Sequence, residues 1–177
     1  NERCGLNKYI KNDIYINLLV KEINKRSNNK KIKILDLCCN VGRSLNSLKK
    51  LGYINLYGVD INKLAIKKMK KVFKKLKKAK VVHSSAESFL LNFKDNFYDI
   101  LFSSGASVEL IPSTFDLIKE ISRVTKSFVI LFINENGHAY PRFWRYEFRK
   151  NNMSLIFNKK YESNTLLVFK KNNQNER

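Results

Sequence analysis

The stretch Ile34-Leu35-Asp36-Leu37-Cys38-Cys39-Asn40-Val41-Gly42 decides how the rest of the chain is read. Ile32, Ile34, Leu35 and Leu37 make an apolar run of buried-strand length, broken by one acid, Asp36. Small or turn-tolerant residues follow at once. From Arg43 the apolar positions Leu45 and Leu48 take up helical spacing until Leu51-Gly52, where glycine is the residue expected just past a helix end. A strand that feeds a helix through so tight a turn needs residues that tolerate left-handed backbone and let a ligand approach the main chain. Gly42 meets that need, and Asn40 is the non-glycine type that tolerates it best. Cys38 is small but less suited.

Outward from this turn, apolar periodicity alternates between two and 3.6. A helix is expected over residues 13–24, ended by the polar cluster at 26–31. A second strand over 53–59 is closed by Asp60. Asn62 then reads as the N-cap of a helix to residue 78, with the stripe Leu64, Ala65, Met69, Val72, Phe73 and Leu76 and lysine nearly everywhere else. Further strands are expected at 80–83, 98–103 and 127–133, with a helix at 113–124. An aromatic, basic helix follows at 140–150. Two last strands, 155–158 and 165–170, form a hairpin around Glu162-Ser163-Asn164. Such alternation predicts an α/β fold with a mainly parallel sheet. Right-handed crossovers then bring the strand C-terminal ends to one ligand-binding edge.

At 177 residues the chain is the size of one domain, here 1–177, with an N-terminal helical segment (1–30) before a core (31–177). An apolar fraction of 44% argues against disorder, and no run approaches the ~20 residues of a membrane span. Three cysteines, two of them adjacent, make no disulfide framework and fit reduced, cytoplasmic thiols. Lys+Arg 35 against Asp+Glu 15 gives a net charge of +20, mostly from lysine accompanied by abundant Asn and Ile. That pattern reads as composition and a solvated lysine surface. Arginine, which specific phosphate contacts favour, is the minority.

Asp36, the turn to Gly42, and Asp60 at the end of the next strand resemble the cofactor motif of the class I S-adenosylmethionine-dependent methyltransferases. In that family an acid ends the first strand, alternating glycines follow, and a second acid stands about 20 positions on. The resemblance implies a three-layer α/β/α, Rossmann-like fold whose mostly parallel seven-stranded sheet ends in an antiparallel hairpin. It implies S-adenosylmethionine as cofactor and S-adenosylhomocysteine as product. The cofactor contacts it implies are Asp36, Cys38, Asn40, Gly42, Asp60, Ile61, Ser85, Ala86, Glu87 and Ser103. Asp60 would take the ribose hydroxyls and Asp36 the cationic amino-acid end. Ser85 and the Ala86 backbone would meet the adenine. A dinucleotide fingerprint does not fit, because its glycine places would be Cys38, Asn40 and Arg43, and no phosphate-binding loop is present.

Methyl transfer from a sulfonium is an in-line displacement, so the protein mainly orients and desolvates, and no metal is required. No Cys/His spacing resembles a zinc site. The loop after the fourth strand, Ser103-Ser104-Gly105-Ala106-Ser107-Val108-Glu109, lacks the Asn/Asp-Pro-Pro-aromatic motif of base-amine methylating relatives. The segment at 134–145 mixes acid, base, cation and aromatics at the binding edge. His138 is the first candidate for a base and Glu109 the second, and Tyr140, Arg142 and Arg145 are the candidates to hold an anionic acceptor. Residues 1–11 either fold over the cofactor or fray. The expected activity is methyl transfer to a small-molecule acceptor. An RNA methyltransferase using the basic surface, or a non-catalytic cofactor-binding module, are the alternatives.

Overall fold

The computed structural model describes residues 6, 10, 14–104, 106–135 and 139–172. Strands β1 (Lys33–Leu37), β2 (Asn55–Asp60), β3 (Lys80–His83), β4 (Tyr98–Ser104) and β5 (Thr125–Ile133) run parallel. β6 (Met153–Tyr161) and β7 (Asn164–Lys171) form a hairpin, with β7 antiparallel to β5. All seven make one sheet in the order β3-β2-β1-β4-β5-β7-β6. The chain moves outward from β1 to β3 and then returns to the far side of β1 as β4. The topological switch therefore falls between β1 and β4, and a crevice opens there at the strand C-terminal ends. The Ser103 hydroxyl donates to the Leu37 carbonyl at 2.7 Å, fastening the two strands beside that crevice.

Helices α1 (Ile14–Arg26), α2 (Arg43–Lys50) and α3 (Lys63–Val72) cover one face of the sheet. The other face carries α4 (Ala86–Leu91), α5 (Leu117–Val124) and α6 (Trp144–Lys150). Successive strand residues point to opposite faces. Ile34 thus joins the core under α1–α3, while Leu35 and Leu37 join the core under α4–α6. β1 and β4 are buried on both sides, which is why they read as apolar runs rather than alternating ones. α1 is a layer of this core: Leu19 and Ile23 are fully buried, and the Tyr15 ring stacks on Phe132 at 5.0 Å.

The elements depart from the expected boundaries for identifiable reasons. The helix foreseen to residue 78 ends at Val72, and Phe73 (φ −106, ψ 73) redirects the chain into a 3-10 turn, Lys74–Lys78. Lysines three and four apart repel along this helix and no glycine caps it. Leu64 and Val72, expected in its apolar stripe, are exposed, and Ile66 is buried in their place. α4 was not foreseen, because six residues are too few to show a helical period. Its signal is the N-cap Ser85, whose hydroxyl accepts from Ser88 N–H. α5 starts only at Leu117, where Asp116 caps it through Lys119 N–H. α6 starts at Trp144, beyond Pro141, which biases its predecessor away from helix.

Candidate functional site

The turn from β1 to α2 holds three residues in left-handed backbone at alternate positions: Cys38 (φ 66), Asn40 (φ 48) and Gly42 (φ 72). Only Gly42 adopts this without a Cβ penalty; the other two cost about 1–2 kcal/mol each at most, less for Asn. The surrounding structure over-determines the turn. Cys39 N–H donates to Val59 O at 2.9 Å, and Gly42 N–H to Cys39 O at 2.8 Å. Asn40 N–H donates to Asp60 Oδ2 at 2.7 Å, while Asn62 N–H donates to Asp60 Oδ1 at 2.8 Å. Asp60 thus clamps the first turn to the end of β2. Each of its carboxylate oxygens keeps a second lone-pair direction. A Cβ at Gly42 would also lie 2.6 Å from Met69 Sδ, so the buried methionine side chain would have to shift.

Asp36 is 3% exposed, and no described residue hydrogen-bonds its carboxyl. Burial, with the Asp60 charge next, holds it well above the usual carboxylate range, and Arg43 offsets this in part. The Asn40 side-chain oxygen is buried without a hydrogen-bond partner among the described residues. Burial and then the charges of Asp60, Asp36 and Glu87 push the Cys38 thiol up to about 12. Those three carboxylates therefore share the field around one crevice, and a protein of net charge +20 has an acidic ligand edge.

The other expected cofactor residues gather beside it. Ser84 N–H donates to Asp60 O, which ties the loop after β3 to the end of β2 and sets Ser85, Ala86 and Glu87 at the start of α4. Ile61 is 73% exposed at the mouth, and its carbonyl meets His83 Nε2 at 3.0 Å. His83 is thus a fastening residue. Ser103 lies at the edge but commits its hydroxyl to Leu37, and Ser85 commits its own to the α4 cap.

The acceptor candidates divide. Glu109 is buried in a 3-10 turn (Ala106–Leu110), where Oε1 accepts from Asn134 N–H at 2.8 Å and ties that turn to the end of β5. Arg142 Nη2 donates to the carbonyls of Ile111 (3.0 Å) and Pro112 (3.1 Å), its Nε is buried without an acceptor among the described residues, and burial lowers its pKa. Arg145 meets Glu135 through two 3.2 Å contacts, Nε to Oε1 and Nη2 to Oε2. Glu135 is the acid of the 134–145 segment, but the sequence assigns it no role, because it reaches Arg145 only across the loop between β5 and α6. Arg142, Arg145 and Glu135, with Pro141, Phe143, Trp144 and Tyr146, line a cleft of ≈ 560 Å³, and Glu109 is not part of its lining. Tyr140 stands near it, half-exposed. His138 and Tyr9 lie outside the described residues. Among the described residues no group of acids, histidines and cysteines is placed to hold a metal, and no helix is long and apolar enough to cross a membrane.

Residues 35–133 match the methyltransferase domain family, and the chain belongs to that family. This stretch runs from the residue before Asp36 to the end of β5, and so contains the left-handed turn, Asp60 and the α4 start. The cofactor of the family is S-adenosylmethionine. No curated protein matches the sequence. Among solved structures, the magnesium protoporphyrin IX methyltransferase ChlM of Synechocystis PCC 6803 superposes with a TM-score of 0.73 at 14% identity, over 89% of this chain and 78% of that one. A TehB-like SAM-dependent methyltransferase from Corynebacterium glutamicum ATCC 13032 gives 0.70 at 18% identity, over 94% and 92%. The (4+2)-cyclase SpnF gives 0.71 at 13% identity, over 87% and 80%. At these identities the likeness is one of fold.

Proposed function

We propose that the chain is an S-adenosylmethionine-dependent methyltransferase acting on a small, anionic acceptor. The observation that carries it is the buried Asp36 carboxyl, without a hydrogen bond from any described residue, beside a turn with three left-handed residues and Asp60. A buried carboxyl of raised pKa is costly in an empty crevice and favourable once an ammonium sits against it. The orphaned Asn40 oxygen supplies a second acceptor for the same group. An acidic edge suits a cofactor whose sulfonium and ammonium are cationic and which carries no phosphate.

When bound, the cofactor supplies an electrophilic methyl group. Asp36 and Asn40 orient its amino-acid end, and Asp60 accepts from the ribose hydroxyls through the lone pairs its backbone contacts leave open. Ile61 covers the adenine, and the α4 start with Ser85, Ala86 and Glu87 closes the far side. Cys38, held as a neutral thiol, contributes contact rather than charge. At the other side of the edge, Arg145 receives the anionic part of the acceptor by exchanging Glu135 for it, and Arg142 holds the carbonyls at 111 and 112 in place. Orientation and exclusion of water are the chain's main contributions. His138 and Glu109 are the candidates for removing a proton where the acceptor must lose one. The whole chain, 1–177, acts as one domain.

Two measurements test this. Calorimetry should show one site for S-adenosylmethionine and for S-adenosylhomocysteine. A survey with radiolabelled methyl donor over small-molecule and RNA fractions should label a small acceptor. Label only in RNA would replace the acceptor assignment, and binding without any transfer would leave a cofactor-binding module.

A further inference from the structure

Away from the cofactor edge, the chain carries a dense lysine surface that the proposed reaction does not use. Of the ten lysines between Lys63 and Lys80, all but Lys68 are exposed. No acid lies between Asp60 and Glu87, and no ion pair or hydrogen bond engages these lysines among the described residues. Ala65, Ile66 and Met69 anchor α3 to the sheet, so Lys63, Lys67, Lys70 and Lys71 stand on its outer side. The 3-10 turn that follows α3 adds Lys74, Lys75, Lys77 and Lys78, all exposed. Such a density of uncompensated charge disfavours the compact state through self-repulsion.

We propose that this face docks peripherally on anionic phospholipid surfaces. Three features favour lipid over nucleic acid. No arginine occurs between Arg43 and Arg123, so the bidentate phosphate and base contacts of nucleic-acid sites are missing. No exposed Phe, Tyr or Trp lies between residues 61 and 86 to stack on a base; Phe73 is half-buried, and the exposed His83 ring is held at the Ile61 carbonyl. Instead, exposed aliphatic side chains of α3 stand among its lysines: Leu64 (48% exposed) and Val72 (37%). Lysines whose flexible stems carry charge to headgroups, around a few aliphatic groups able to enter the interface, fit an anionic bilayer. α3 begins just after Asp60 and lies along a sheet face, so docking there leaves the strand C-terminal edge open to cofactor and acceptor.

The test is co-sedimentation of the full chain with vesicles of phosphatidylcholine alone and of a two-to-one mixture with phosphatidylserine, beside a single-stranded RNA in the same salt. The proposal expects binding to the mixed vesicles only. The quadruple variant K67Q/K70Q/K71Q/K74Q should weaken it by at least about tenfold. Leu64→Gln should weaken vesicle binding while leaving any RNA binding unchanged. Both variants change exposed side chains that make no hydrogen bond or ion pair among the described residues, so a melting temperature no lower than that of wild type confirms their folding, and the quadruple variant should raise it as repulsion is relieved. Absence of binding to mixed vesicles, binding that survives the quadruple variant, or indifference to Leu64→Gln each overturns the proposal. RNA binding without vesicle binding overturns it in favour of a nucleic acid.

Discussion

Replacing Gly42 by alanine probes the turn where backbone conformation and packing meet. Gly42 has φ 72, and a Cβ there would lie 2.6 Å from Met69 Sδ, 2.8 Å from Met69 Cγ and 3.3 Å from Leu76 Cδ1. The left-handed conformation costs an alanine about 1–2 kcal/mol. Overpacking against a residue only 1% exposed adds about 1–3 kcal/mol, somewhat relieved because Met is flexible. The reduced entropy of the unfolded chain returns about 0.4–1 kcal/mol. Gly42→Ala should therefore destabilise by about 1–4.5 kcal/mol, a fall in Tm of roughly 2–18 °C for a chain of this size. Urea unfolding of Gly42→Ala, Met69→Ala and the double variant separates the two causes. In the Met69→Ala background the two shortest contacts are gone and the backbone cost remains with the looser Leu76 contact, so the cycle should give a coupling of about 1–3 kcal/mol. A Gly42→Ala cost equal in both backgrounds would refute the steric account, and a neutral Gly42→Ala would refute both.

Asp36→Asn should raise the Tm of the cofactor-free protein by roughly 2–4 °C for each ~1 kcal/mol recovered, and at the same time weaken S-adenosylmethionine binding at least about tenfold. Because the folded-state pKa of Asp36 is raised, its cost is absent below the unfolded value near 3.8 and grows as pH rises through the window above it. The Tm gap between variant and wild type should open in that direction, and a gap that closes with rising pH would contradict the assignment. Cys38, at about 12, and Cys39, also raised by burial, should alkylate at pH 8 at least about a hundredfold more slowly than a free thiol, measured by mass spectrometry of the native protein. Arg145→Ala should raise the acceptor KM about tenfold or more with kcat and cofactor affinity little changed, whereas Arg142→Ala, which frees the carbonyls at 111 and 112, should lower Tm as well.

The sheet was legible because β1, β4 and β5 are buried on both faces and their apolar runs have no other use. The turn was legible from Asp36, Gly42 and Asp60, and the structure adds that Cys38 and Asn40 adopt the left-handed backbone of the glycines they replace. α4 was hidden because its six residues carry no period. The break at Phe73 was hidden because the apolar stripe continues through it to Leu76, which the 3-10 turn still buries. Side-chain commitments were the least accessible. Nothing in the sequence says that Ser103 is spent on Leu37, that Asp60 already holds Asn40 and Asn62, or that Arg145 is matched to Glu135. Ser103–Leu37 and Asp60–Asn40 join segments far apart in the chain and form only with the sheet, Arg145–Glu135 spans the loop between β5 and α6, and Asp60–Asn62 is a local contact that depends on where β2 ends.

If the crevice around Asp36 and Asp60 binds S-adenosylmethionine as proposed, the cofactor should be held there in the absence of any acceptor. Calorimetric titration of the intact chain, paired with Tm for Asp60→Ala because that carboxylate also holds the turn, tests it most directly. The prediction is one saturable site, with affinity reduced at least about tenfold in Asp60→Ala beyond what partial unfolding explains. No binding of either S-adenosylmethionine or S-adenosylhomocysteine to the folded wild-type chain would contradict it.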